Sequence, residues 1–323
     1  MADEPSEDVQ AVLAAMEEAE MPEISDLEPA AAREMMGEAF QPDEPVVDLA
    51  RVEDRTIPGP AGEIPVRVYA PAADGPQSVV VFFHGGGFVL GDLDGHDAPC
   101  RLLADATNAV VVSVDYRLAP EDPFPAAVED AYAATEWAAA NADALGADGG
   151  RLAIAGDSAG GNLAAVVALA ARDRGGPDVA HQALFYPVTD FRGANYELGG
   201  AEGYDSYAEN GEGYFLTLDD MRYFSDHYVD SWVQEVNPYL SPLLAASHAD
   251  LPPASVVTCG FDPLRDEGRA YVDALREDGT RVEHHHFPEL IHGAINLVAE
   301  PADVAGGHDA IDAVASDLRN ALA

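Results

Sequence analysis

The sequence predicts an α/β fold built on a mostly parallel central sheet, and three observations predict it. Short continuous apolar runs recur along the chain, as expected of strands buried on both faces. Helical patterns lie between them, so strand and helix alternate. The 323 residues are 48% hydrophobic, enough for one large core with a smaller lid.

In chain order, residues 6–20 and 29–40 read as short amphipathic helices, punctuated by Pro22, Pro29, Pro42 and Pro45. Val9, Val12, Leu13 and Met16 share one face of the first. VEDRTIPGPAGEIPVRVYAP (52–71) reads as a hairpin, two strand patterns around a Pro/Gly turn. Six buried strands follow: SVVVFFH (78–84), AVVVSVDYR (109–117), RLAIAG (151–156), ALFYPV (183–188), ASVVTCG (254–260) and VEHHHF (282–287). Residues 124–142 form an alanine-rich helical pattern with Val128, Tyr132 and Trp137 inward. Residues 161–173 are apolar nearly all round, which predicts a deeply packed helix. Residues 266–279 end in Gly279, a C-cap signal, and residues 308–323 bring Ile311, Val314, Leu318 and Leu322 into register.

Residues 190–250 break the alternation. They carry Phe191, Tyr196, Tyr204, Tyr207, Tyr214, Phe215, Tyr223, Phe224, Tyr228, Trp232 and Tyr239 with few strand signals. A helical insertion is expected there. With no repeat and no long linker, residues 1–323 read as a single domain. Its cap would come from about 1–45 and about 190–240, over the sheet's carboxyl edge.

Charge is the extreme feature. Asp and Glu number 59, Lys and Arg 16, and the formal net charge is −43. All sixteen cations are arginine. Such a surface repels itself at low ionic strength and is screened in molar salt, where the Debye length falls to about 3 Å. The expectation is a cytoplasmic protein adapted to high internal salt; the missing lysine resembles haloarchaeal composition. The same field argues against nucleic acid and anionic membranes as partners. Without lysine there is no Walker A loop, Schiff base, Ser-x-x-Lys acylase or kinase chemistry. No apolar run is long enough to span a bilayer, and MADEPSEDVQ lacks the basic and apolar regions of a secretory leader. Cys100 and Cys259 read as two buried small residues, since they have neither disulfide-framework nor zinc-site spacing.

AGDSAGGN (155–162) contains a G-x-S-x-G between a buried strand and an apolar helix, the setting of a nucleophile elbow. Ser158 is the candidate nucleophile, and a serine needs a base. In this strand–turn–helix context the acid and the histidine follow the serine in sequence. Asp262 follows the strand 254–260, and His292 follows the strand 282–287. Both sit where active sites of such sheets form. His292 would take the Ser158 proton, and Asp262 would hold the imidazole. Asp266 and Glu267 compete with Asp262 but read as the acidic first turn of a helix. Within His284, His285 and His286 alternate side chains diverge, so no metal site is expected. His96 with Asp97 reads as a loop-fixing pair; His181, His227, His248 and His308 have no comparable context.

HGGGF (84–88) fails the dinucleotide fingerprint, because Leu90 stands where the third glycine is needed. It fits the HGGG oxyanion motif instead. Gly85, Gly86 and Gly87 are the glycine donor candidates, together with the N–H of Ala159.

Taken in order, HGGGFVLGD (84–92), DYRLAPEDPFPAAVED (115–130), GDSAGGN (156–162), DPLRDEG (262–268) and IHG (291–293) resemble the hormone-sensitive-lipase-like carboxylesterases, in their microbial GDSAG branch. ENGEGYFLT (209–217) is similar to that branch's lid segment. The resemblance implies an α/β-hydrolase fold with an eight-stranded sheet and a helical cap. It also implies cofactor-free hydrolysis of short- to medium-chain acyl esters as small-molecule substrates, and it includes many dimers. By resemblance Gly86, Gly87 and Ala159 are the usual oxyanion donors, and His84 supports the loop rather than acting as base. Ala294 departs from the family, which usually has an aromatic there. An amidase or deacetylase would use the same machinery. Plant gibberellin receptors resemble the family without a working histidine; His292 in its expected place argues for an enzyme.

Overall fold

The structure is a computed structural model that describes residues 2–42, 44–193 and 203–323. Two helices open the chain, α1 (Glu7–Glu18) and α2 (Pro29–Phe40). A hairpin follows, β1 (Arg51–Pro58) and β2 (Glu63–Ala70), closed by Gly59 N–H on Gly62 O at 2.7 Å. The alternating body runs β3 (Gln77–Phe83), α3 (Asp97–Thr107), β4 (Val110–Val114), α4 (Ala126–Ala140), α5 (Ala142–Leu145), β5 (Ala147–Asp157), α6 (Ala159–Arg174) and β6 (His181–Phe185). After the insertion helices α7 (Asp205–Asn210) and α8 (Leu218–Tyr228) come β7 (Ala254–Phe261), α9 (Arg265–Glu277), β8 (Val282–Ile291) and α10 (Ala305–Ala321).

The eight strands form one sheet in the order β1-β2-β4-β3-β5-β6-β7-β8. Only the β1–β2 and β2–β4 pairings are antiparallel. Alternation along β3 divides the core into two layers. Val79, Val81 and Phe83 join a cluster that includes α4 and α6, whereas Val80 and Phe82 join one that includes α3 and α10. Burying each such side chain contributes about 1.5–3 kcal/mol.

Two strands run four residues past a predicted end. β5 begins at Ala147, because Gln77 pairs with Ala147 across an irregularity. β8 runs through Pro288 to Ile291, because it is an edge strand with no neighbour to claim the N–H that proline lacks. The insertion contains α7, α8 and short 3-10 turns, with no strand among the described residues; Tyr196 lies outside them. No described helix is long and apolar enough to cross a membrane.

Candidate active site

Four strands deliver the site at one sheet edge. His84 is the first residue past β3, Ser158 past β5, Asp262 past β7 and His292 past β8. β3 and β5 are parallel neighbours, with Phe83 opposite Gly156, which sets the glycine loop beside the elbow.

Ser158 adopts φ 55° and ψ −117°, a strained conformation for a residue with a side chain. It is held there on both sides: its N–H donates to Phe185 O at 2.9 Å, and its carbonyl accepts Asn162 N–H at 3.0 Å. α6 can start this close to β3 only because Gly160 lacks a Cβ, which would collide with the Phe83 carbonyl. The hydroxyl therefore stands above the sheet at the N-terminus of a 16-residue helix, where negative charge is favoured.

His292 Nε2 lies 2.9 Å from Ser158 Oγ, and its Nδ1 lies 3.0 Å from Asp262 Oδ2. A carboxylate only accepts, so Nδ1 carries the proton and Nε2 presents its lone pair to the serine. Asp262 is fully buried, and its Oδ1 accepts Leu264 N–H at 2.8 Å. The ring of Tyr186 packs against His292 at 4.7 Å between centroids.

In the glycine loop Gly85 N–H donates to Asp157 Oδ1 at 2.8 Å, so that donor is committed within the protein. Gly86 and Gly87 have φ of 108° and 61° and donate to no partner among the described residues. At Gly87 a Cβ would overlap the Phe224 ring of α8. His84 is buried, stacked on Tyr116 at 4.2 Å, and donates from Nδ1 to Gly85 O at 2.8 Å. Burial, then His96, lowers its pKa to about 4, so it is neutral at pH 7.

The expected His96–Asp97 pair does not form. Asp97 takes Arg101 and the Tyr69 hydroxyl, while His96 turns to Asp157 at 3.4 Å. Asp266 pairs with Arg265, and Glu267 accepts the Thr189 and Asp190 N–H groups; neither is bonded to His292. His284 and His286 share Thr258 Oγ1, and His285 faces Asp317 from the other side of the strand. Among the described residues no group of three or more His, Cys, Asp or Glu is arranged to hold a metal ion. Cys100 and Cys259 are both buried and free.

A cavity of about 290 Å³ opens over Ser158 and His292, walled by Met36 and Phe40 of α2 and by Phe215, Leu216 and Phe224 of the insertion. A second space of about 50 Å³ adjoins Ser158 and Gly87 and is closed by Phe88, Phe191, Met221 and Leu264. Of the aromatics in the insertion, Trp232 takes no part and is 76% exposed. Arg33 was not foreseen: from α2 it donates to Val89 O and Ala119 O, both at 2.7 Å, tying the helix to the glycine loop. No local pattern marks it, because its partners lie 56 and 86 residues away.

A parallel sheet with a serine elbow, a histidine and a buried acid at its carboxyl edge defines an α/β-hydrolase. A family profile described as "alpha/beta hydrolase fold" matches residues 80–296. The chain belongs to that family, in its hormone-sensitive-lipase-like branch. It is 48% identical over 274 residues to "Carboxylic ester hydrolase LipN" of Mycobacterium tuberculosis, covering 83% of this chain and 70% of that protein. It is 36% identical over 248 residues to "Ethyl acetate hydrolase" of Pseudomonas putida, covering 74% of each. Among solved structures, the hyperthermophilic esterase of the archaeon Pyrobaculum calidifontis superposes with a TM-score of 0.90 at 40% identity, covering 99% of this chain and 100% of that one.

Proposed function

We propose that this protein is a serine carboxylesterase that hydrolyses short- to medium-chain acyl esters through an acyl-enzyme. The observation that carries the reading is the unbroken hydrogen-bonded line from Ser158 through His292 to Asp262, opening into a cavity beside free backbone N–H groups. Ser158 Oγ attacks the ester carbonyl carbon as His292 Nε2 takes its proton. The carbonyl oxygen becomes an oxyanion that accepts the N–H groups of Gly86, Gly87 and Ala159; Gly85 is left out because its N–H already serves Asp157. His292 then gives its proton to the leaving alkoxide. Water repeats the sequence on the acyl-enzyme. Asp262 keeps the imidazole in the reactive tautomer throughout.

The small space behind Ser158 supports a short chain on one side of the ester, and the larger cavity supports a bulkier group on the other. In this reading residues of about 1–45 and about 190–240 act as the cap, since α2 and α8 wall the cavity. A p-nitrophenyl ester series in molar KCl tests the proposal. The expected kcat/KM peaks between acetate and hexanoate and falls at least tenfold by laurate. A profile still rising at laurate contradicts it, and equal turnover of the matching anilides moves the assignment to an amidase.

A further inference from the structure

Asp157 is buried beside the elbow yet stands outside the Ser158–His292–Asp262 line. Its carboxylate collects donors from two separate segments and lies against a third. Oδ1 accepts Gly85 N–H of the glycine loop at 2.8 Å. Oδ2 accepts Asn296 Nδ2, from the turn after His292, at 3.0 Å. His96 Nε2, at the start of α3, lies 3.4 Å from Oδ1 and also accepts the Gly85 N–H at 3.2 Å, the longer of that group's two acceptors. Burial alone would raise the carboxyl's pKa; His96 and the Asn296 hydrogen bond outweigh it and hold the group below the usual carboxylate range. A carboxylate suits this place because it only accepts and so takes every donor without an orientation conflict.

We propose that Asp157 is a positioning residue for the oxyanion site. By fixing the Gly85 peptide it sets the turn that leaves the Gly86 and Gly87 N–H groups free beside Ser158. Asp157 adjoins the nucleophile in sequence, and Gly85 adjoins the first free donor. One buried hydrogen bond thus ties the attacking atom to the groups that receive the oxyanion. The inference rests on the serine-esterase reading. A peptide plane released at Gly85 would swing the next N–H away from its target, which affects the tetrahedral state and not the bound ester.

The test compares Asp157→Ala and Asp157→Asn with wild type, using p-nitrophenyl butanoate, an alkyl trifluoromethyl ketone that adds to the serine as a tetrahedral mimic, and a fluorophosphonate label. Asp157→Ala is expected to lose about 10²-fold in kcat with KM within threefold, and to bind the ketone weaker by a similar factor. Asp157→Asn is expected to restore kcat to within about fivefold of wild type. Its amide oxygen can face Gly85, and Asn296, whose Oδ1 has no partner, can turn over to meet the new amide nitrogen. Should the alanine variant not fold, Asp157→Ser carries the same expectation, since its hydroxyl is too short to reach Gly85. Three results would overturn the proposal: a folded alanine or serine variant with wild-type kcat, a kcat loss without loss of ketone affinity, or an asparagine variant as impaired as alanine. A wild-type protein that the fluorophosphonate leaves unlabelled overturns the esterase reading and this inference with it. A labelled wild type with any of those three results overturns this inference alone.

Discussion

At the scale of single residues, the candidate site could be read from the sequence because each of its members lies just beyond a strand. Ser158 and Asp262 follow apolar runs that end within a residue of their observed strand ends, His292 follows a histidine-rich strand that runs four residues past its expected end, and parallel strands bring all three to one edge. What chain order alone could not supply was the partner of a residue whose contact depends on strand order. His96 was expected to pair with its neighbour Asp97, but β5 lies next to β3 and brings Asp157 nearer its ring. The commitment of Gly85 N–H to Asp157, 72 residues away, was hidden for the same reason. The buried Asp262 yields a prediction at this scale. Asp262→Asn keeps the shape but offers the imidazole an amide, favouring the wrong tautomer, so kcat should fall by about 10⁴ with little change in melting temperature. Steady-state kinetics with circular dichroism check it, and a loss under tenfold would mean that another acid orients His292.

At the scale of elements, strands buried on both faces announced themselves as apolar runs, and α6 announced its depth by being apolar all round. The insertion was legible as an interruption, but not in detail. Its helix α7 has six residues, too few to show a period, and is held by contacts to distant segments. Asn210 at the end of α7 donates to Gly260 O and Asp262 O, both at 3.2 Å, and so braces the loop that carries the acid. Glu267 shows how far context can override a local signal. It reads as one carboxylate of an acidic first helical turn; in the structure it is fully buried under the start of the insertion, with Tyr207 also bonded to it. Burial first, then the nearby Asp190, raises its pKa from 4.5 to about 8. Between those two values the folded state keeps a proton that the unfolded state has lost. The group's contribution to stability is therefore full below about pH 4.5 and declines by about 1.4 kcal/mol per pH unit up to about pH 8. Glu267→Gln should remove that slope, so its urea midpoint should vary less between pH 5 and 8 than that of wild type at fixed KCl. Parallel pH profiles would contradict the assignment.

At the scale of the whole molecule, the fold follows from alternation and the chemistry from one sheet edge, whereas the charge belongs to the solvent. Arginines gather carboxylates where they can: Arg67 reaches Asp54, Asp94 and Asp97, and Arg117 reaches Asp122, Glu129 and Asp130. Sixteen cations still leave a net charge of −43. We infer that the folded chain depends on screening, so its melting temperature should rise by roughly 10 °C or more between 0.1 M and 3 M KCl. Equal stability at both salt concentrations would sink that inference without touching the site. The central claim is that Ser158 is a nucleophile activated by His292, and active-site labelling tests it most directly. In 3 M KCl a fluorophosphonate should add one equivalent to the wild-type protein, with the adduct on the peptide that contains Ser158. Ester hydrolysis should be lost in step, and Ser158→Ala should be neither labelled nor active. An unlabelled wild type, or a Ser158→Ala variant that still hydrolyses esters, would contradict the account.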